Sequence, residues 1–255
     1  MTETPPRLKL RHIVPSMVTV FAICAGMTSI RMSLDGRIEM ALYFILIAVF
    51  LDAADGKLAR FLDSASPFGA ELDTLADFFN FGIVPGILLY NTLYIGTADS
   101  NLGFLACLVL AVCCALRLAR FNLSAKATDV TLKKDDHFVG VPAPALACLA
   151  LMPVFFYLHG WTETNFPLLR AAYIIGVGFL AISTIPTISI KHASIKRAHL
   201  SFALVGVVAL VVCLMVYPWP TLIVANCLYL ASLPYSYLAQ EKRKKRQDDN
   251  AHPSD

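Results

Sequence analysis

Asp52, Asp55, Asp73 and Asp77 stand inside two stretches of sequence that otherwise have the length and apolarity of membrane-crossing helices. No other feature restricts the fold of this chain as strongly. An aspartate at mid-membrane costs about 2.5–3.5 kcal/mol, so four of them imply a penalty on the order of 10 kcal/mol that other interactions must offset. The surrounding sequence leaves little doubt about the medium. Of its 255 residues, 57% are hydrophobic and 15% charged, against roughly 25% charged in an ordinary soluble domain, and the mean hydropathy is +0.65. The chain is read as an integral membrane protein whose buried carboxylates mark a functional site.

About 20 apolar residues cross a bilayer as a helix. Stretches of that kind occur at 14–33, 37–60, 69–90, 102–121, 141–158, 167–188, 199–217 and 219–239, predicting an all-α, polytopic bundle of eight transmembrane helices. Lys and Arg concentrate in alternate connections: Lys57 and Arg60; Arg120, Lys126, Lys133 and Lys134; Lys191, Lys196 and Arg197; and the tail Lys242 to Arg246. The connections 91–101 and 159–166 and the turn around Pro218 have neither residue, so positive-inside bias puts both termini, and the aspartates, at the cytoplasmic side. Four segments are expected: a basic cytoplasmic N-terminus (1–13), a core (14–190), two additional transmembrane helices (191–240) and a charged cytoplasmic tail (241–255). The stretch Asn122 to His137 is expected to be a cytoplasmic loop, either irregular or with a short interfacial helix. Seven cysteines all fall in apolar segments without metal-site spacing, so they read as small buried hydrophobes. No basic face interleaved with aromatics supports nucleic-acid binding; the partners expected are membrane lipids.

Helical spacings of three and four put Asp52, Asp55, Gly56 and Ala59 on one face of the second helix, and Gly69, Asp73 and Asp77 form a stripe on the third. The short connection Phe61 to Phe68 predicts that these helices are antiparallel neighbours with facing carboxylates. Oxygen ligands without His or Cys suit Mg²⁺ or Mn²⁺, and four carboxylates have the capacity for two ions that clamp phosphoryl oxygens. Gly56, Ala59 and Gly69 clear space for a ligand near the backbone, or for tight helix packing, while Arg60 offers a forked donor to phosphate. An ion pathway is the competing use of membrane carboxylates, but it predicts acids spread over several spans.

Residues 52–77, DAADGKLARFLDSASPFGAELDTLAD, match D-x2-D-G-x2-A-R-x8-G-x3-D-x3-D at all eight specified positions. This segment resembles the signature of the CDP-alcohol phosphotransferase family. The resemblance implies a six-helix catalytic core, a CDP-linked lipid as donor, CMP as leaving group and no covalent enzyme intermediate. It further implies that Asp52, Asp55, Asp73 and Asp77 bind two divalent ions, and that Asp77 takes the proton of the acceptor hydroxyl. Gly56, Arg60 and Ser66 match positions that contact the CDP moiety, while Ala59 and Gly69 match positions that make room for it. Upstream, Pro15-Ser16-Met17-Val18-Thr19 departs from the family's frequent Pro-Asn-x-x-Thr, leaving Thr19 rather than Ser16 as the nucleotide contact.

The signature does not specify the acceptor alcohol. Asp77 to Pro85, Arg117 to Asn122 and Phe138 to Pro144 resemble the bacterial integral-membrane phosphatidylserine synthases within the family, which implies CDP-diacylglycerol and L-serine as substrates, the bacterial cytoplasmic membrane as location, and a homodimer. Arg117, Arg120 and Asn122 are the candidate serine contacts, since guanidinium and amide groups suit a zwitterion. Glycerol 3-phosphate, inositol phosphate or choline are the alternative acceptors.

Overall fold

The computed structural model describes residues 10–64, 66–127, 141–160, 166–183 and 200–251, and every regular element among them is helical. The elements are α1 (Leu10–Leu34), α2 (Ile38–Phe61), α3 (Pro67–Phe78), a π-helical turn (Phe79–Ile83), α4 (Val84–Leu93), α5 (Ser100–Ala127), α6 (Ala143–Ala150), α7 (Met152–Leu158), α8 (Pro167–Ile182), α9 (Leu200–Val216) and α10 (Pro218–Ala251). Three continuous helical stretches among the described residues are long and apolar enough to cross a membrane: Ile13–Leu34, Pro67–Leu93 and Ser100–Ser124. This is a helical membrane protein.

α1 and α2 form a hairpin closed by a Schellman turn, in which Arg37 N donates to Met32 O (2.8 Å) and Gly36 N to Ser33 O (3.0 Å). Gly36 has φ of +72°, where absence of a Cβ removes the usual penalty. Small buried residues of α1, including Ala22, Ala25, Ser29 and Ser33, let the helices approach closely, and Ser29 Oγ donates to Ala41 O at 2.8 Å. A second Schellman turn ends α2: Ser64 N donates to Ala59 O (3.0 Å) and Asp63 N to Arg60 O (3.4 Å). Here Asp63 takes the left-handed position with φ of +46°, which Asp tolerates better than most residues. Ser66 then caps α3 and Pro67 occupies its first turn, where a missing N–H costs nothing.

Prolines explain where the spans depart from single regular helices. The expected helix 69–90 is observed as Pro67–Leu93 with a π turn inside, where Val84 N reaches back five residues to Phe79 O. Pro85, immediately after it, cannot donate to the preceding turn, and the widened turn accommodates its ring. The expected helix 141–158 is divided at Leu151 into α6 and α7, because Pro153 cannot bond to Leu149 O. Tyr173 of α8 supplies the missing donor, its phenol lying 2.8 Å from Leu149 O. Asn122 to Ala127, at the start of the expected loop, continues α5, and α10 carries the backbone helix through the basic tail to Ala251. Residues 128–140 and 184–199, which include His137, Phe138 and Lys191, lie outside the described residues.

The core gathers Leu42 and Ile45 of α2, Leu88 and Leu89 of α4, Leu110 and Cys114 of α5, Leu146 and Leu149 of α6, and Ile174 and Val177 of α8. At the end opposite the aspartates, Trp219 of α10 stacks on Phe155 of α7, with ring centroids 6.0 Å apart, and lies 5.5 Å from Tyr43 of α2.

Replacing Tyr173 by Phe removes the donor for Leu149 O while keeping the ring. Thermal unfolding in detergent should show destabilisation of about 1 kcal/mol. Asp63→Val, which forces a β-branched residue to positive φ, should cost more than Asp63→Gly in the same measurement.

Candidate active site

The carboxylates come from the second half of α2 and from α3. One carboxylate oxygen each from Asp52, Asp55 and Asp73 can be chosen so that all three lie within 4.8 Å of one another. Asp77 stands beside this trio, its carboxyl within hydrogen-bonding reach of Asp52. Like charges this close repel unless a cation or shared proton lies among them. The donor set fits a hard divalent cation: every candidate ligand atom is a carboxylate oxygen, and Oδ1 of Asp55, a residue only 4% exposed, has no hydrogen-bond partner.

α1 organises the pair. It packs extensively against α2 and also against α3, whereas direct backbone contact between α2 and α3 is slight. The expected side-by-side pair is therefore a three-helix arrangement in which the carboxylates converge across α1. The buried Thr19 hydroxyl of α1 lies 2.7 Å from Asp55 Oδ2 and 3.2 Å from Pro15 O. It has a single proton, and the shorter distance assigns that proton to Asp55. Thr19 thus holds a carboxylate in place, and its oxygen keeps lone pairs to accept from a ligand.

The other residues expected around the donor divide into open and engaged groups. A Cβ on Gly56 would meet nothing within 4 Å, so the backbone there is accessible. Arg60 is exposed, and its Nε donates to Gly56 O at 2.9 Å, which leaves the outer guanidinium nitrogens to reach outward. Ala59 O accepts from Ser64 N in the turn that ends α2. Ser66 Oγ accepts from Gly69 N at 3.0 Å, so its lone pair caps α3 while its proton can still be donated. A Cβ on Gly69 would lie 3.0 Å from that oxygen and 3.7 Å from Ser16 Oγ, so Ser16 sits at the same edge of the site.

The candidate acceptor contacts separate sharply. Arg120 donates to Ile182 O (2.6 Å) and Ser183 O (3.3 Å), tying α5 to the C-terminal end of α8, where a cation is favourable. Asn122 Nδ2 donates to Thr74 Oγ1 at 3.1 Å, tying α5 to α3. Both are committed to helix packing. Arg117 is different, because its Nε is buried without a hydrogen-bond partner and its charge acts on Asp77. Its level is set by two flanking contacts: Asn122 meets Thr74, and the Cys114 side chain approaches Gly82 so closely that a Cβ there would be 3.2 Å away. Antiparallel α5 therefore presents Arg117 beside the turn that carries Asp77.

Two polar residues near this site carry no expected role. Asn80 lies on the π turn, is 1% exposed, and neither amide atom has a hydrogen-bond partner. Its Oδ1 occupies the place of a Cβ on Gly26, so a larger residue there would have to displace the Asn80 amide. The signal was legible in principle, since Asn80 follows Asp77 by three residues on the same face. Tyr229 of α10 has a buried, unpartnered hydroxyl and interacts electrostatically with Arg117. No local pattern points to it.

Thr19→Val keeps the shape of the side chain and removes the donor to Asp55. Affinity for Mn²⁺, followed by electron paramagnetic resonance of the purified protein, should weaken about tenfold, and Thr19→Ser should retain it. Arg120→Gln should lower the unfolding temperature without altering Mn²⁺ binding.

Known proteins are similar to this sequence. The family model described as CDP-alcohol phosphatidyltransferase matches residues 12–179, and one described as CDP-alcohol phosphatidyltransferase 2 matches residues 200–234. A CDP-diacylglycerol–serine O-phosphatidyltransferase of Mycobacterium leprae (strain TN) is 35% identical over 230 residues, covering 88% of this chain and 74% of the relative. Proteins of the same name from Helicobacter pylori (strain 26695) and Bacillus subtilis (strain 168) are each 32% identical, over 68% of this chain and 71% and 89% of their own lengths, respectively.

Proposed function

The chain belongs to the CDP-alcohol phosphatidyltransferase family, and from that premise we propose that it moves the phosphatidyl group of CDP-diacylglycerol to the hydroxyl of L-serine, yielding phosphatidylserine and CMP. The observation that carries the reading is the convergence of Asp52, Asp55 and Asp73, with Asp77 alongside and its buried Oδ1 unpaired. The acceptor assignment rests on the names of the relatives from M. leprae, H. pylori and B. subtilis.

Asp77 Oδ1 takes the proton of the serine hydroxyl as its oxygen attacks the phosphatidyl phosphorus. The bond from that phosphorus to the bridging oxygen breaks, and CMP leaves with the bridging oxygen. Asp52, Asp55 and Asp73, with Asp77 at the edge, would hold one or two Mg²⁺ or Mn²⁺ ions, which when bound neutralise diphosphate charge and stabilise the departing CMP. Thr19 keeps Asp55 oriented. The accessible backbone at Gly56 and the outward guanidinium of Arg60 receive the diphosphate and nucleotide, Ser66 offers its remaining proton at the same edge, and Ala59 and Gly69 leave space. Arg117 attracts the acceptor carboxylate, a role that Arg120 and Asn122 give up to helix packing.

The eight apolar segments are taken as eight spans. The catalytic core is assigned to 14–190, two accessory helices to 191–240, and cytoplasmic termini to 1–13 and 241–255. Lys and Arg bias in the connections supports an inner-membrane enzyme with the site open to the cytoplasm. A homodimer follows from the family resemblance alone, and crosslinking in native membranes tests it.

Purified protein given labelled L-serine, CDP-diacylglycerol and Mg²⁺ or Mn²⁺ should form labelled lipid and stoichiometric CMP. Product with glycerol 3-phosphate, inositol phosphate or choline but none with serine would overturn the acceptor assignment. Asp77→Asn should lower turnover about 10²–10⁴-fold while CDP-diacylglycerol still binds, and retained activity would remove Asp77 as the base.

A further inference from the structure

The last helix is longer than the membrane it crosses. α10 runs for 34 residues, about 51 Å at 1.5 Å per residue, whereas a bilayer measures about 40–45 Å with its headgroups and about 30 Å across its hydrocarbon. Packing fixes which end is left over. Trp219 stacks on Phe155 of α7, and Asn226 Nδ2 donates to Cys148 O of α6 at 2.8 Å. α10 is therefore antiparallel to α6 and α7, and it runs from Trp219 toward the aspartate side. No charged residue occurs from Pro218 to Gln240. About 20 residues counted from Trp219 cross the hydrocarbon and end at Leu238, next to Tyr235 and Tyr237, and tyrosine concentrates at membrane interfaces.

Beyond Leu238 the backbone stays helical through Lys242, Arg243, Lys244, Lys245 and Arg246. Five consecutive helical positions turn through about 400° and rise about 6 Å, so these cations form a collar around the whole axis, whatever the rotation of the helix. The collar begins about 6 Å past Leu238, roughly the thickness of the headgroup layer, and ends about 12 Å past it. All of it lies within one Debye length, about 8 Å, of the outer edge of the headgroups. Glu241 precedes the collar, and Asp248 and Asp249 follow it on the side away from the lipid. Charge this dense, held at this height by the span itself, complements anionic headgroups in the leaflet from which the helix emerges. We propose that the collar of α10 is a docking site for anionic phospholipid headgroups, and that it gathers CDP-diacylglycerol, whose diphosphate is anionic, at the aspartate end of the bundle. The kinetic half of the proposal rests on CDP-diacylglycerol being the donor, and the lipid preference does not.

Purified full-length protein in phosphatidylcholine vesicles tests both halves. Electron paramagnetic resonance of the lipid immobilised at the protein should show a preference for spin-labelled phosphatidylglycerol over spin-labelled phosphatidylcholine. Replacing the collar by Lys242→Gln, Arg243→Gln, Lys244→Gln, Lys245→Gln and Arg246→Gln together should lower that preference about fivefold, and so should about 0.5 M NaCl with the wild type. Arg243→Lys combined with Arg246→Lys should retain it, because a collar acts by charge and not by the forked geometry of guanidinium. In the same vesicles KM for CDP-diacylglycerol, as a mole fraction of the lipid, should rise about threefold in the glutamine variant, with kcat changed less than about twofold. Equal lipid preference in the wild type and the glutamine variant would overturn the collar, as would a preference insensitive to salt. A lowered preference with an unaltered KM would overturn the gathering of the donor. Absence of phosphatidylserine in the wild type would overturn the proposed activity, while the lipid preference still decides the collar.

Discussion

Four carboxylates held close together in an apolar bundle repel one another and resist leaving water, and the rest of the architecture answers to that cost. The energetic problem has a local solution only if the oxygens converge on something positive. Asp52, Asp55 and Asp73 converge to within 4.8 Å, and Asp77 leans on Asp52. Arg117 brings a fixed positive charge to one side, and Thr19 brings a hydroxyl proton to Asp55. A divalent cation would complete the balance with ligands of the type it prefers.

The same rule governs the backbone. In hydrocarbon every N–H and C=O needs a partner inside the protein, and Pro85 and Pro153 each create a vacancy within an apolar stretch. The wide turn before Pro85 and the Tyr173 phenol on Leu149 O are two answers to one problem. The first of them also matters for chemistry, because it follows Asp77 directly and fixes where Asn80 and the following face of the helix point. Helix ends obey the rule as well: Arg120 covers the last carbonyls of α8, and paired Schellman turns close both ends of α2's connections.

Division of labour among the charged residues follows from how completely each is satisfied. Arg120 and Asn122 each donate within the protein and tie helices together. Arg117 and Asp77 keep buried atoms unpaired, which is the condition expected of groups whose partner arrives with the substrate. Thr19 belongs to neither group. Its hydroxyl proton goes to a carboxylate of the site.

Much of this was legible in the chain. Apolar length marks the helices, the three-and-four spacing puts the aspartates on single faces, and the fixed gaps from Asp52 to Asp77 carry the family resemblance, because a helix converts local spacing into local geometry. The breaks at the π turn and at Leu151 were foreshadowed by Pro85 and Pro153, although periodicity alone runs straight through them. What only the tertiary structure decided are the pairings between distant helices: α1 as the element joining α2 to α3, Thr19 on Asp55, Arg120 on α8, and Asn226 on α6. Those depend on how each helix is rotated and at what level it crosses its neighbour, and these quantities emerge from packing the whole bundle rather than from any single segment.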